Sequence, residues 1–149
     1  MFFVSQSTTL SAYRSSHEIE VLSSSPIELI RLLYKGALEA VANSRLFLAN
    51  GQIRQRSAAI TKAALILDEL NVSLDLERGG KLAIDLRDLY EYMQRRLMQA
   101  NIEQTDPPLA EVQSLIATLY DAWKQINQPA LLSPFDVQDT AEIGHSYSY

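Results

Sequence analysis

An all-α fold, an antiparallel up-down four-helix bundle, follows from three features of the 149-residue chain. Apolar residues recur at helical spacing in four separate stretches. Short breaks rich in Gly, Pro and Asn divide those stretches. Alternation of apolar and polar residues never persists, so no strand is expected. Helices of this kind bury their stripes against one another, and short connections make neighbours antiparallel. A flexible N-terminal segment is expected over residues 1–24, the bundle over 25–127 and a mobile C-terminal tail over 128–149.

The first helix starts at Ser25-Pro26. The Ser25 hydroxyl is suited to accept from an orphan backbone N–H, Pro26 suits the first helical position, and Glu28 completes a capping box. Asn50-Gly51 marks its end. Wound at roughly 100° per residue, Leu29, Leu33, Ala37, Ala40, Ser44, Phe47 and Leu48 form one stripe. Ile30, Tyr34, Leu38 and Val41 form a second stripe beside it. With Leu32 and Gly36 the apolar and small positions sweep about 240°, against a little over ~100° for an ordinary surface helix. Two readings of this arc stand side by side. Either the helix is packed on most sides by its own bundle, or one stripe packs the core and the other receives a partner.

The second helix is expected from Gln52 or Ile53 to about Leu76, with Ile60, Ala63, Ala64, Leu67, Leu70 and Leu74 as its core face. Glu77-Arg78-Gly79-Gly80 is expected to break it. The third helix is expected from Lys81 to Ile102, with Leu82, Leu86, Leu89, Met93, Leu97 and Ala100 facing inward. Pro107 or Pro108 opens the fourth, whose inner face is Leu109, Val112, Ile116, Leu119, Tyr120, Trp123 and Ile126. Gln128-Pro129 ends it.

A net charge of −5 and a pI near 5.0 argue against nucleic acid or an anionic membrane as partner. No apolar run approaches the ~20 residues that span a bilayer. The N-terminus has no basic region of the kind a signal peptide carries, so a cytoplasmic location is expected. With no cysteine, thiol nucleophiles, disulfides and cysteine-ligated metals are excluded. His17 and His145 stand in the leader and the tail without ligand-spaced partners, so no metal site or cofactor is expected. Gly79-Gly80-Lys81 lacks the strand and the hydroxyl residue of a phosphate loop. Asp85, Asp88 and Glu91 share a helix face that solvent explains. An enzyme is therefore the weak reading. A helical binding module or a homodimeric structural bundle fits the surplus apolar arc better.

The ordered series of residues resembles the flagellin-specific export chaperones of the FliS family. The likeness begins with Ala12-Tyr13, then Ser25-Pro26, Leu29-Ile30, Leu33-Tyr34 and Gly36-Ala37-Leu38. It runs through Ile60, Lys62-Ala63, Glu69-Leu70, Ser73-Leu74-Asp75, Gly79-Gly80, Leu82-Ala83 and Leu86. Leu89-Tyr90-Glu91-Tyr92-Met93, Leu97, Ala100-Asn101, Leu109, Glu111-Val112 and Ala122-Trp123 complete it. Lys35 departs from the pattern, standing where an acidic residue is common. The resemblance implies a cytosolic bundle that binds the C-terminal segment of flagellin, prevents premature polymerisation and hands the client to a membrane export gate, with no chemistry and no cofactor. The partner-binding residues expected on this basis are Ile30, Tyr34, Leu38 and Val41 of the first helix, with Tyr90, Leu97 and Asn101 of the third. Tyr13 is expected to cover part of the groove when empty and to move aside on binding.

Overall fold

Four helices account for nearly all of residues 25–125, the part of the chain that the computed structural model describes. They are α1 (Pro26–Ala49), α2 (Ile53–Val72), α3 (Leu76–Glu103) and α4 (Pro107–Gln125). No strand occurs among the described residues. The expected leader turn, Tyr13, both histidines and the tail lie outside them.

Each boundary has a local cause. Ser25 is extended and its Oγ accepts from the Glu28 backbone N–H at 3.2 Å, while Pro26 fills the first turn. At the other end of α1, Gly51 has φ of 68°. Gln52 N–H donates to the Phe47 carbonyl at 2.9 Å and Gly51 N–H to Leu48 at 3.2 Å, a Schellman closure. The α3–α4 turn uses the same geometry with a non-glycine residue. Gln104 is left-handed, with φ of 55°, and Thr105 N–H reaches the Ala100 carbonyl at 3.4 Å.

The α2–α3 junction differs from the sequence expectation. Helix α2 stops at Val72, not Leu76, and α3 begins at Leu76, not Lys81. Asp75 is the reason. Its Oδ1 accepts from the Glu77 and Arg78 N–H groups, both at 3.1 Å, and so starts a new helix one turn early. Its other carboxylate oxygen is buried without a partner among the described residues. Gly79-Gly80 is thus a kink inside α3, with Gly80 at φ 57° and ψ −138°. The kink also changes the phase of the first turn: Ala83 is buried, whereas Leu82, expected in the core, is largely exposed.

Helix α1 packs against α2 and α4, and α3 packs against the same two. α1 and α3 are therefore diagonal. Side chains across the seams show that neighbours run antiparallel. Arg31, near the start of α1, donates to the Trp123 and Lys124 carbonyls at the end of α4, both at 3.1 Å. Arg45, near the end of α1, grips Asp106 ahead of α4 with bonds of 2.8 and 2.9 Å. Arg56 and Ser57 at the start of α2 meet Asn101 near the end of α3. One apolar core runs through the bundle, and each fully buried Leu, Ile or Met contributes about 1.5–3 kcal/mol through removal from water.

Gly80 sits in backbone territory that L-residues avoid, although a Cβ there would meet no atom within 4 Å. Gly80→Ala is expected to cost about 1–3 kcal/mol in urea unfolding. Gly51→Asn, at a left-handed position that Asn tolerates, is expected to be nearly neutral in the same measurement.

Candidate partner-binding site

The residues expected to bind a partner are mostly inside the bundle. Ile30, Tyr34 and Val41 are buried on α1, and Tyr90 and Leu97 are buried on α3. Leu38 is half-buried and packs on the core. Asn101 is also half-buried, its Oδ1 accepting from Arg56 and Ser57. The second apolar stripe of α1 is therefore used within the chain. The premise that one bundle needs only one stripe does not hold for α1. It has two adjacent neighbours and also reaches the diagonal helix, so an arc of this width is absorbed internally.

The diagonal contact is the polar centre of the core. The Tyr34 and Tyr90 hydroxyls hydrogen-bond to each other, with ring centroids 6.4 Å apart. The Trp123 ring lies 6.0 Å from that of Tyr34, which brings α4 into the same cluster. Burial pushes the Tyr90 phenol up to about 12, against a usual 10.0, with the bond to Tyr34 opposing the shift. Burial raises Tyr34 as well, reinforced by Tyr90 and opposed by Trp123. Both groups stay neutral at physiological pH, which suits a structural bond and not proton transfer.

What remains open is on the outside. A groove of about 340 Å³ runs along the α1/α2 seam. Ala40, Ala58 and Ala59 keep it shallow and apolar, Asn43, Phe47 and Gln55 line its sides, and Glu39 and Lys62 add one charge of each sign. Large apolar side chains are exposed on three helices: Leu46 on α1, Ile53 and Val72 on α2, and Leu76, Leu82, Ile84, Met98 and Ile102 on α3. Among the described residues none of these belongs to α4. The α3/α4 seam is closed instead by polar bonds. The Tyr92 hydroxyl donates to Glu111, and Arg96 donates to it at 3.0 Å. Together they hold the Glu111 carboxyl below its ordinary range, Tyr92 having the larger effect.

Comparison with known proteins matches this architecture to a named family. The family model "Flagellar protein FliS" matches residues 9–130. A flagellar secretion chaperone FliS of Salmonella typhimurium is 42% identical over 116 residues, covering 77% of this chain and 86% of that protein. The Escherichia coli chaperone of the same name is 37% identical over 123 residues, covering 82% and 88%. That of Bacillus subtilis is 34% identical over 116 residues, covering 78% and 86%. This chain belongs to the FliS family.

For a FliS-family bundle the expected chaperone role calls for a client surface, and here such a surface must be sought in the seams and outer faces. Sequence periodicity missed the α1/α2 groove because its floor is alanine, which marks neither a seam nor a ligand. The adjacent Ala58-Ala59 pair facing Ala40 was the available signal, since small residues opposite one another mark a close approach or a gap. Arg56, almost wholly buried at the end of the α2/α3 seam, was missed for the opposite reason, because a charged residue reads as surface. Among the described residues, no group of His, Cys, Asp and Glu is arranged to hold a metal ion. No helix among them is long and apolar enough to cross a membrane.

Tyr34→Phe removes one partner from a buried pair and is expected to cost about 1–3 kcal/mol. The double change Tyr34→Phe with Tyr90→Phe is expected to cost less than the sum of the single changes, as read by denaturant unfolding. The raised phenol gives a pH signature. Below pH 10 both states keep Tyr90 neutral and its contribution is complete. Above pH 10 the unfolded chain ionises first, so this stability is lost as pH rises towards about 12. The double variant should therefore lose less stability than the parent across that window.

Proposed function

We propose that this FliS-family chain is a cytoplasmic export chaperone that binds the C-terminal segment of flagellin. It keeps the client from polymerising prematurely and competent for flagellar type III export, with the membrane export gate as the place of delivery. The single observation that carries the reading is the distribution of apolar surface. The groove and the exposed side chains lie on α1, α2 and α3, and the seam between α3 and α4 is sealed by polar contacts. A segment wrapped over the first three helices would meet the Ala-floored groove on one side and Ile53, Met98 and Ile102 on the other. The names of the relatives, flagellar secretion chaperones, agree with a client that must be held and then released.

The physics suits a transient hold. A disordered segment that folds onto a helical surface typically buries about 1,000–3,000 Å² and gives back about 2–5 kcal/mol or more to ordering. Useful affinity then comes without irreversibility. Shielding the segment's apolar face removes the driving force for its assembly with other copies. The net charge of −5 gives no general attraction to an acidic client, so apolar contact supplies most of the affinity.

Calorimetry of the full chain with flagellin and with flagellin lacking its C-terminal segment tests the proposal. Binding is expected with the first and none with the second; equal heats would sink the reading. Ala58 is exposed and lines the groove. Ala58→Glu is expected to weaken flagellin binding about tenfold or more, a loss of about 1.4 kcal/mol. Its melting temperature should stay within about 2 °C of the parent, because exposed substitutions away from caps and cores usually change stability by less than ~0.5 kcal/mol.

A further inference from the structure

Arg56 is the most unusual charge among the described residues. It lies in the first turns of α2 and is only 5% exposed. No carboxylate among the described residues pairs with it. Its Nε donates to Asn101 Oδ1 at 3.3 Å and its Nη1 to Gln104 Oε1 at 3.4 Å. Both bonds are long and both acceptors are neutral. Guanidinium has five N–H donors and is always charged, so two weak bonds leave it poorly satisfied.

Its position compounds the imbalance. Helix α2 starts at Ile53, and Gln52 provides no side-chain cap. The positive end of the helix dipole therefore adds to the positive charge of Arg56, a combination that repels cations and attracts an anion. Glu103, the acid in the last turn of α3, is engaged by Gln99 at 3.3 and 3.4 Å. Gln104 is exposed and sits at the left-handed cap, so its side chain is free to swing out and open the way to the guanidinium. Around this end of the α2/α3 side stand Ile53, Met98 and Ile102, exposed by 57%, 64% and 73%. A recessed cation beside an apolar rim fits a chain end that is apolar in its side chains and anionic at its terminus.

We propose that this recess receives the terminal α-carboxylate of the client segment. The proposal rests on the client reading above and deepens it. A segment that is C-terminal carries one anion whatever its side chains are, and that anion is its α-carboxylate. The carboxylate replaces the long amide contacts with charge-assisted bonds of about 2.7–2.9 Å to the guanidinium fork. The last apolar side chains of the client then lie on Ile53, Met98 and Ile102. Recognition of a chain end sets the register of the whole wrapped segment, which apolar contacts alone do not specify.

The test uses the full chain and two synthetic peptides of the flagellin C-terminal segment, one ending in the free acid and one in the amide. Calorimetry is expected to show the amide binding at least tenfold more weakly to the parent chain. With Arg56→Gln that ratio should fall below about twofold, and Arg56→Lys should retain part of it. Equal affinity of acid and amide for the parent chain overturns the proposal without needing any variant to fold. An amide penalty undiminished in a folded Arg56→Gln chain overturns it too, and assigns the terminus to another group. If flagellin itself and both peptides fail to bind, the client reading falls and this proposal with it. If flagellin binds and the two peptides bind alike, only the carboxylate recess is lost.

Discussion

The burial of α1 on three sides is the constraint that organises this bundle. Tyr34 must place a hydroxyl in the core, and the core has to provide a partner because an unpaired buried hydroxyl is costly. Tyr90 on the diagonal helix is that partner, and Trp123 closes the cluster from α4. Once this contact is made, α1 is held by α2, α3 and α4 together, and Ile30 and Val41 are drawn inside with it. The side chains best suited by chemistry to grip a client are then unavailable to it in the closed bundle.

Recognition is thereby moved outward, to places where the bundle packs imperfectly. Alanines facing one another across α1 and α2 leave a shallow groove. The early start of α3 at Asp75 and its kink at Gly80 leave Leu82 and Ile84 exposed. The far end of the α2/α3 side combines exposed apolar residues with a recessed arginine. The fourth helix has a different task. Through Arg31, Arg45 and the Tyr92–Glu111–Arg96 group it is tied to both of its neighbours by polar bonds. Surface pairs of this kind add little stability individually, but they favour one register of α4 against α1 and α3.

Two ends of the molecule carry local cost. Gln104 takes a left-handed conformation that favours glycine, and its side chain reaches Arg56. Asp75 caps α3 with one oxygen and buries the other without a partner among the described residues. The Gln104 end coincides with the proposed carboxylate recess. The Asp75 end coincides with the kink, where a cap and a glycine break together replace what would be a smooth helical hairpin.

Local chemistry was readable from the chain alone. Helical periodicity, Ser25 and Pro26 at one terminus and Gly51 at another specify helices, caps and an antiparallel bundle, because those signals act between residues a few positions apart. The ordered motifs from Ala12 to Trp123 specify the family for the same reason, being a property of the sequence. The second stripe of α1 was visible too, but not its destination. Whether Tyr34 meets solvent, a partner or Tyr90 depends on a residue 56 positions away, and no local pattern carries that. The same holds for Arg56, whose isolation from every carboxylate among the described residues exists only once α2 and α3 are laid side by side. Packing at long sequence separation decided which apolar surface was left over, and therefore where a client could be held.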